Sequence, residues 1–217
     1  MSRPARIEAP AFPDLSFETP LWAGGLSLLA GLDEAGRGAW AGSVCAAAVI
    51  LPPCPDVLDK LRGVRDSKKM TPRQRALWAV KIRGAAAFWG IGFATAEEID
   101  ARGIIASTRL AMQRALEALG CQPEHLLIDA LRLPAVKLPQ SALIKGDARS
   151  LSIAAASVLA KTARDAWMVE LGEQFPEYGF ARHKGYGTKM HRQALARLGP
   201  CPYHRMSFAP LRGLGGL

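Results

Sequence analysis

The sequence predicts an α/β domain, and three observations lead to that prediction. Short apolar runs, which are typical of buried strands, alternate along the chain with longer segments that have helical periodicity. Several of the helical segments begin with capping signals and are followed by glycine, so their limits can be placed. Apolar runs that are followed by acidic residues suggest a site at one edge of the resulting sheet.

The length of 217 residues fits one compact domain. Residues 1–20 carry scattered prolines and little periodicity, which is typical of an extended arm or a poorly ordered lead-in. We therefore expect an N-terminal arm over residues 1–24 and one folded domain over residues 25–217.

Five apolar runs predict the strands of the sheet. The first leads into Asp33 and a tight turn that contains glycine, and the second is stopped by two prolines. The last two are short and lead to Asp129 and Asp147. The predicted strands cover residues 28–32, 43–51, 87–94, 126–128 and 141–144.

The helices are predicted from capping boxes and periodicity. Thr71 and Gln74 form one capping-box signal, and Thr95 and Glu98 form another. A long alanine-rich segment follows the fifth strand, and the last helix is stopped by a Gly-Pro pair. The predicted helices cover residues 71–83, 95–119, 151–174 and 188–198.

The charge and the cysteines limit the functional classes. A formal net charge of +9 favours polyanionic partners. The four cysteines have no C-x-x-C spacing, which argues against a zinc ribbon or a redox motif. No apolar run approaches the roughly 18 residues of a membrane span, and the N-terminus lacks a signal-peptide pattern. We expect a soluble, cytoplasmic protein with reduced thiols and no membrane partner.

Four carboxylates at or near strand ends are the main chemical signal: Asp33, Glu34, Asp129 and Asp147. A buried unpaired carboxylate is costly, and several together repel one another unless cations neutralise them. Carboxylate oxygens are hard ligands, which favours Mg²⁺ or Mn²⁺. Two such ions can serve phosphodiester hydrolysis. The alternative is that each carboxylate caps a helix, pairs with an arginine or faces solvent.

Asp33 and Glu34 present a geometric difficulty. Neighbouring residues of a regular strand point to opposite faces of the sheet, so the two side chains should not reach one site. Because Gly36 and Gly38 follow immediately, we expect a twist or bulge that distorts the strand at this point.

Residues 31–38, Gly-Leu-Asp-Glu-Ala-Gly-Arg-Gly, resemble the signature of the type 2 ribonucleases H, the family that contains bacterial ribonuclease HII. Further motifs follow in family order, so the resemblance extends from about residue 28 to about residue 210. They occupy residues 66–69, 128–129, 145–147, 157–165, 184–188 and 204–208. The chain departs from the family at Ala130, where many relatives carry glycine, which concerns local packing.

The resemblance implies a ribonuclease H-like fold, with a central mixed sheet flanked by helices and a helical C-terminal portion that closes over the substrate. It implies that Asp33, Glu34, Asp129 and Asp147 are the metal-binding and catalytic residues. It also implies roles in substrate binding for the loop of Gly36, Arg37 and Gly38, which senses the ribose 2′-hydroxyl, and for Tyr186, which stacks on the following deoxyribose.

Physical chemistry is compatible with these roles. Glycines let a backbone approach a sugar closely, and the 2′-hydroxyl distinguishes RNA from DNA. Ser67, Lys68 and Lys69 are suited to phosphate contacts, although a solvated basic loop is the alternative. For Tyr186 the alternative is a tyrosine of the core or of a turn.

The implied function is an endoribonuclease of ribonucleotide excision repair. It would hydrolyse the RNA strand of RNA–DNA hybrids and cut on the 5′ side of a ribonucleotide in duplex DNA, by a two-metal mechanism that leaves 3′-hydroxyl and 5′-phosphate ends. One alternative is another two-metal nuclease of the same superfold, such as a junction resolvase. Another is a catalytically silent nucleic-acid-binding module.

Four further expectations concern partners, histidines and a cysteine. We expect a monomer, and the C-terminal residues show no clear clamp-binding tail. His125, His183 and His191 lack the mutual spacing of metal ligands, so we interpret them as surface or substrate-facing residues. Cys201 and His204 are interpreted as no more than half of a metal site.

Overall fold

The computed structural model describes residues 12–212 and contains a five-stranded sheet of order β3-β2-β1-β4-β5. The strands are β1 (Leu29–Ala35), β2 (Val44–Ile50), β3 (Phe88–Ala94), β4 (His125–Asp129) and β5 (Gln140–Leu143). β1, β2 and β3 form antiparallel pairs, whereas β1, β4 and β5 run parallel. The predicted mixed sheet is confirmed, and the three parallel strands end at one edge.

Eight α-helices are described in this part of the chain. They are α1 (Glu18–Ala23), α2 (Asp56–Lys60), α3 (Pro72–Ala85), α4 (Ala96–Arg102), α5 (Ile104–Glu117), α6 (Leu151–Gln174), α7 (Phe180–His183) and α8 (Lys189–Leu198). Among the described residues, no helix combines the length and the apolarity needed to cross a bilayer.

The helices cover both faces of the sheet, and each face carries its own core. α6 and α3 pack on one face through small and branched side chains, including Ala155, Leu159 and Ile82. α5 packs on the other face against residues such as Leu32 and Ile128. β2 is buried over its whole length because it is covered on both faces.

Side-chain capping explains the starts of four of these helices, α3, α4, α6 and α8. The side chains of Thr71 and Gln74 form the predicted capping box of α3, and Thr95 and Glu98 form that of α4. The predicted helix over 95–119 is nevertheless two helices, because Gly103 has φ 79° and interrupts the backbone between α4 and α5. From the sequence, a glycine within a helical pattern does not decide between one continuous helix and two.

The part of the predicted arm that the structure describes is folded against the domain. Glu18 begins α1 and is fully buried, and its carboxylate accepts hydrogen bonds from Ser150 Oγ and from the backbone and side chain of Ser152. An extended or poorly ordered lead-in is therefore wrong for residues 18–20, because this acidic anchor fixes the start of α1 to the start of α6. Residues 1–11 lie outside the described part, and the division at residue 24 stays a prediction.

The C-terminal portion forms a third core beyond the end of the sheet. α7 and α8 bring Phe180 and Leu195 against Met168 and Leu171 of α6. The segment after α8 returns to the loop between β1 and β2, where Arg205 N donates to Trp40 O at 2.8 Å. This helical portion therefore packs directly on the loop between β1 and β2.

Candidate active site

Three aspartates from different parts of the chain converge at one edge of the sheet. Asp33 lies in β1, Asp129 is the last residue of β4, and Asp147 lies in a 3-10 turn after β5. Because these strands are parallel neighbours, their carboxyl ends meet. One carboxylate oxygen of each aspartate lies within 4.8 Å of those of the other two. Three of the four acids are thus brought into one cluster.

Burial makes this aspartate cluster unfavourable when every member is charged. Asp33 is 2% exposed, and burial, followed by the charges of Glu34 and Asp129, raises its pKa well above the usual value. Burial is also the main cause that raises the pKa values of Asp129 and Asp147. A positive charge at the cluster would lower these pKa values and favour the ionised form of all three carboxylates.

The hydrogen bonding of the cluster fits a divalent cation. Oδ1 of Asp33 accepts from Glu34 N at 2.7 Å, but Oδ2 is buried without a partner among the described residues. Oδ1 of Asp129 accepts from Gly146 N at 2.7 Å. Buried polar atoms are normally satisfied, so the orphaned Oδ2 calls for a ligand. Carboxylate oxygens alone suit Mg²⁺ or Mn²⁺ rather than zinc.

Glu34 lies beside the aspartate cluster but outside it. β1 stays in register with β2 through Ala35, so the expected distortion of the strand is wrong. Pairing with β2 through Ala35, and with β4 as far as Leu32, holds β1 regular, so the side chains of Asp33 and Glu34 leave the strand on opposite sides. Glu34 nevertheless lines the cleft beside the cluster, and its charge contributes to the raised pKa of Asp33. Its Oε1 accepts from Arg37 Nη1 at 3.0 Å, whereas Oε2 is buried without a partner in the described region.

The loop after β1 is built around a glycine that no other residue could replace without strain. Gly36 has φ 92°, and a Cβ at this position would lie 1.9 Å from Nε of Arg164. Gly38, two residues on, is exposed, and a Cβ there would meet no atom within 4 Å. The two glycines therefore differ: Gly36 is required by the fold, whereas Gly38 leaves free space at the surface.

A cleft of about 270 Å³ gathers most of the predicted substrate-binding residues next to Glu34. Its lining comprises Glu34, Ala35, Gly36, Arg37, Gly38, Ser67, Lys68, Lys161 and Tyr186. Lys69 is exposed and does not line the cleft. The structure thus places the glycine loop, the basic loop and the tyrosine around one space beside the acids.

The basic loop is fixed by its own side chains. Asp66 caps it by accepting from Lys68 N at 2.9 Å, and Ser67 is buried with its hydroxyl 2.8 Å from that of Ser157. Nζ of Lys68 lies 3.7 Å from Oδ2 of Asp147. Burial lowers the pKa of Lys68, but the surrounding carboxylates, led by Asp33, outweigh it and raise that pKa. Lys68 therefore stays charged at the cluster.

Sequence reasoning missed several residues that shape the cleft. Arg164 is fully buried and donates to Ser43 O, Lys184 O and Ala41 O at 2.9, 3.0 and 3.2 Å. Arg205 donates to Arg37 O and Gly42 O, both at 2.9 Å. These two arginines hold the loop after β1 against the Tyr186 segment. Both lie inside motifs of the predicted family, which was the available signal.

Lys161 is another residue that the sequence did not single out. It lines the cleft, its Nζ lies 5.6 Å from the centre of the Tyr186 ring, and it forms an ion pair with Asp165 at 2.7 Å. The spacing of Ser157, Lys161 and Arg164 along α6 is that of one helix face, which would have predicted that they act together.

The interpretation of the histidines is wrong for His183 and His191. His183 is 9% exposed and His191 is fully buried, and their rings stack at 4.4 Å. His204 lies against His191, with 3.0 Å between their Nε2 atoms. The cluster is formed by contacts between α7, α8 and the following loop, which no spacing along the chain reveals. His125 lies elsewhere, half-buried and bonded to Ser141.

Ala130 occupies the position after Asp129 with φ 51°. An alanine in this left-handed region is strained, whereas glycine is not. Alanine in place of the family's glycine therefore strains the backbone next to the aspartate cluster.

The comparisons with known proteins agree on one family. The family model described as Ribonuclease HII matches residues 30–211. Ribonuclease HII of Chloroflexus aurantiacus is 53% identical over 203 residues, which are 92% of this chain and 94% of that protein. Ribonuclease HII of Geobacillus kaustophilus is 53% identical over 198 residues, which are 91% of this chain and 74% of that protein.

Solved structures have the same fold. Ribonuclease H2 of Pyrococcus horikoshii OT3 matches with a TM-score of 0.69 and 25% identity, over 86% of this chain and 96% of that one. Ribonuclease HII of Archaeoglobus fulgidus, solved in a complex with PCNA, matches with a TM-score of 0.72 and 27% identity, over 88% and 98% of the two chains.

Proposed function

The chain belongs to the ribonuclease HII family, and from that premise we propose that it hydrolyses the RNA strand of RNA–DNA hybrids and cuts duplex DNA on the 5′ side of an embedded ribonucleotide. The proposed products carry 3′-hydroxyl and 5′-phosphate ends. The observation that carries the proposal is the convergence of three buried aspartates beside a cleft lined by the glycine loop and Tyr186.

We assign the divalent cations to the four carboxylates. Asp33, Asp129 and Asp147 form the cluster, and Glu34 adds a second buried oxygen without a partner in the described region. When bound, Mg²⁺ or Mn²⁺ would supply an activated water and stabilise the charge on the leaving oxygen. Glu34 would join the site through this buried Oε2, while its Oε1 keeps the bond to Arg37.

The basic residues of the cleft would bind the scissile strand. Lys68 keeps its charge beside Asp147, and Ser67 holds the backbone of this loop against α6. Phosphate contacts of this kind fix the position of a duplex without reading its sequence. Lys69 is exposed in the same loop and is assigned to a more distant phosphate. We assign to Asp147 the further task of helping to displace the leaving 3′-oxygen.

Recognition of the ribose would depend on the loop after β1 and on Tyr186. Gly38 is exposed and leaves room for a sugar to approach the backbone, whose polar groups can bond the 2′-hydroxyl. The aromatic ring of Tyr186 offers a flat platform for the next deoxyribose. Because Arg205 binds Arg37 O and Arg164 binds Lys184 O, the two recognition elements are held at a fixed distance.

Three properties of the whole protein complete the proposal. The net charge of +9 supports a nucleic-acid duplex as the partner. We propose that the chain acts as a monomer in the cytoplasm, where its cysteines stay reduced. The Archaeoglobus relative was solved with PCNA. The expectation of no clear clamp-binding tail concerns the C-terminal residues, of which 213–217 lie outside the described part, and it stays a prediction.

The test uses an all-DNA duplex with one embedded ribonucleotide, incubated with Mg²⁺ or Mn²⁺. A matched all-DNA duplex and an RNA–DNA hybrid are run beside it. We expect cleavage on the 5′ side of the ribonucleotide, cleavage of the hybrid and an intact all-DNA control. Cleavage of the all-DNA duplex would favour another nuclease of the same superfold, and binding without cleavage would favour a silent binding module.

A further inference from the structure

The three histidines of the C-terminal portion form a buried cluster that the proposed mechanism does not use. His183, His191 and His204 are 9%, 0% and 2% exposed, and none forms an ion pair with a carboxylate among the described residues. Burial is the first cause that lowers the pKa values of His191 and His204 to about 4. His191 and His204 are therefore neutral near pH 7, and each carries one ring proton. Burial also lowers the pKa of His183.

The hydrogen bonds fix where the protons of His204 and His191 lie. The backbone N–H of Cys201 donates to Nδ1 of His204 at 2.9 Å, so that nitrogen is an acceptor and the proton lies on Nε2. Cys201 O lies 3.2 Å from the same Nδ1. The lone pair of this Nδ1 already accepts the amide hydrogen of Cys201, so Nδ1 does not donate to Cys201 O. Nε2 of His204 then donates to Nε2 of His191 at 3.0 Å. The proton of His191 must consequently lie on Nδ1.

The chain of hydrogen bonds ends on the backbone of Tyr186. Nδ1 of His191 donates to Tyr186 O at 3.1 Å. His183 supports the same segment from the other side, because its Nδ1 accepts from Gly185 N at 3.2 Å and its Nε2 donates to Tyr178 O at 2.7 Å. A single arrangement of neutral tautomers thus satisfies all of these bonds.

The segment that carries Tyr186 needs such support. Lys184 and Gly185 have φ 53° and 79°, so two consecutive residues lie in the left-handed region. For Lys184 this conformation is strained, and it persists only where the surroundings impose it. The Tyr186 ring itself faces the cleft, with Lys161 and Arg164 near its face.

We propose that the directed hydrogen-bond chain His204–His191–Tyr186 is a positioning device that sets the Tyr186 ring for the sugar of the substrate. This inference rests on the proposed function, because it takes Tyr186 to contact substrate. His191 and His204 act through the backbone of Tyr186 and touch neither the substrate nor the reacting atoms.

Two substitutions of His191 test separately its hydrogen bond to Tyr186 and its hydrogen bond to His204. The amide nitrogen of His191→Asn overlaps the Nδ1 position and keeps a donor towards Tyr186 O, whereas the carboxamide of His191→Gln reaches the Nε2 position, where its oxygen can accept from His204 but no donor is left for Tyr186 O. We expect kcat/KM on the single-ribonucleotide duplex to be about tenfold lower for His191→Gln than for His191→Asn, the effect of losing one hydrogen bond. Equal values for the two variants would overturn the proposal.

A double-mutant cycle tests whether the effect passes through Tyr186. In a Tyr186→Ala background the ring is gone, so the difference between the two His191 variants should vanish. A difference that persists in this background contradicts the proposal, because a merely structural role lowers activity regardless of residue 186. His204→Gln keeps a donor towards His191, so its kcat/KM on the single-ribonucleotide duplex should be higher than that of His204→Met. Equal values for these two variants would contradict the proposed hydrogen-bond chain.

The tautomers can be read without any cleavage assay. Proton–nitrogen correlation spectra of the ¹⁵N-histidine-labelled wild type near pH 7 should show Nδ1–H for His191 and Nε2–H for His204 and His183. A protonated, imidazolium form of His191, or a proton on its Nε2 instead of Nδ1, would contradict the proposed hydrogen-bond chain even if the enzyme cuts its substrate. If the wild type leaves the single-ribonucleotide duplex intact, the proposed function fails and the link to substrate fails with it, while the spectra still decide the hydrogen bonds.

Discussion

At the scale of single residues, the aspartate cluster combines burial, mutual repulsion and an oxygen without a donor. Asp33 is the most buried of the three, and its Oδ2 has no partner in the described region. Such a group is unfavourable for folding on its own, because a buried charge needs compensation. Its presence at the end of a central strand is therefore best explained by a ligand that supplies positive charge.

Asp33→Asn and Asp129→Asn should each abolish cleavage of the single-ribonucleotide duplex. The amide removes the charge that holds the cation but keeps the size of the side chain. Because the change also removes repulsion within a buried cluster, the melting temperature should stay at or above that of the wild type. Gel assays and thermal unfolding check both statements. Turnover at the wild-type rate in either variant would contradict the metal-site assignment.

Gly36→Ala and Gly38→Ala form a matched pair in the loop after β1. A Cβ at Gly36 would overlap Arg164 and place alanine at φ 92°, so we expect a loss of about 2–4 kcal/mol in the free energy of unfolding. A Cβ at Gly38 meets nothing, so stability should be unchanged.

Gly38→Ala should affect enzyme activity rather than stability. If the backbone at Gly38 approaches the ribose, the added methyl group of Gly38→Ala should lower kcat/KM on the single-ribonucleotide duplex by about tenfold or more without loss of stability. Denaturant unfolding and steady-state kinetics measure the two effects. A fully active Gly38→Ala enzyme would remove this residue from ribose recognition.

At the scale of elements, the C-terminal helices depend on neutral histidines. The folded-state pKa values of His191 and His204 lie near 4, below the usual 6.5, so the unfolded chain binds protons more readily between these values. The stability that the neutral pair contributes is complete above pH 6.5 and is lost as the pH falls towards 4.

The measurement compares wild type with His204→Gln by denaturant unfolding across that pH range. The wild type should lose more stability on acidification than the variant, which lacks one of the two titrating rings. The buried carboxylates have raised pKa values and contribute the opposite slope, but both proteins share them. Parallel stability curves for the two proteins would show that His204 does not titrate as described.

Local signals in the sequence sufficed for many of the elements. The capping residues Thr71, Thr95 and Thr188 each bond the backbone of the first helical turn, and such short-range bonds are visible in the sequence. The predicted range 151–174 coincides with α6, because its apolar pattern is long and ends abruptly. The break at Gly103 was missed because a single glycine is tolerated within many helices.

Features that depend on long-range contacts were beyond the sequence. β1 continues to Ala35 rather than ending at residue 32, because its pairing with β2 extends it. The histidine cluster and the anchoring of Glu18 by Ser150 and Ser152 arise between segments that are distant along the chain. In the site, the acids and the glycine loop could be predicted from motifs. Lys161 and the two buried arginines lie inside motifs as well, but their roles follow from contacts between distant segments.

At the scale of the whole molecule, the topology explains why the site lies where it does. The antiparallel half of the sheet supplies a rigid β1, and the parallel half brings the ends of β4 and β5 beside it. The helical C-terminal portion then closes one side of the cleft through the Tyr186 segment. Metal binding and ribose recognition are therefore assigned to different parts of the fold that meet at one cleft.

The most direct test of the central claim is the anomalous scattering of manganese in crystals of the wild-type protein soaked with Mn²⁺. The account predicts a manganese peak at bonding distance from carboxylate oxygens of Asp33, Asp129 and Asp147, with the orphaned Oδ2 of Asp33 among them. Manganese bound only elsewhere, with these three side chains left free of metal, would contradict it.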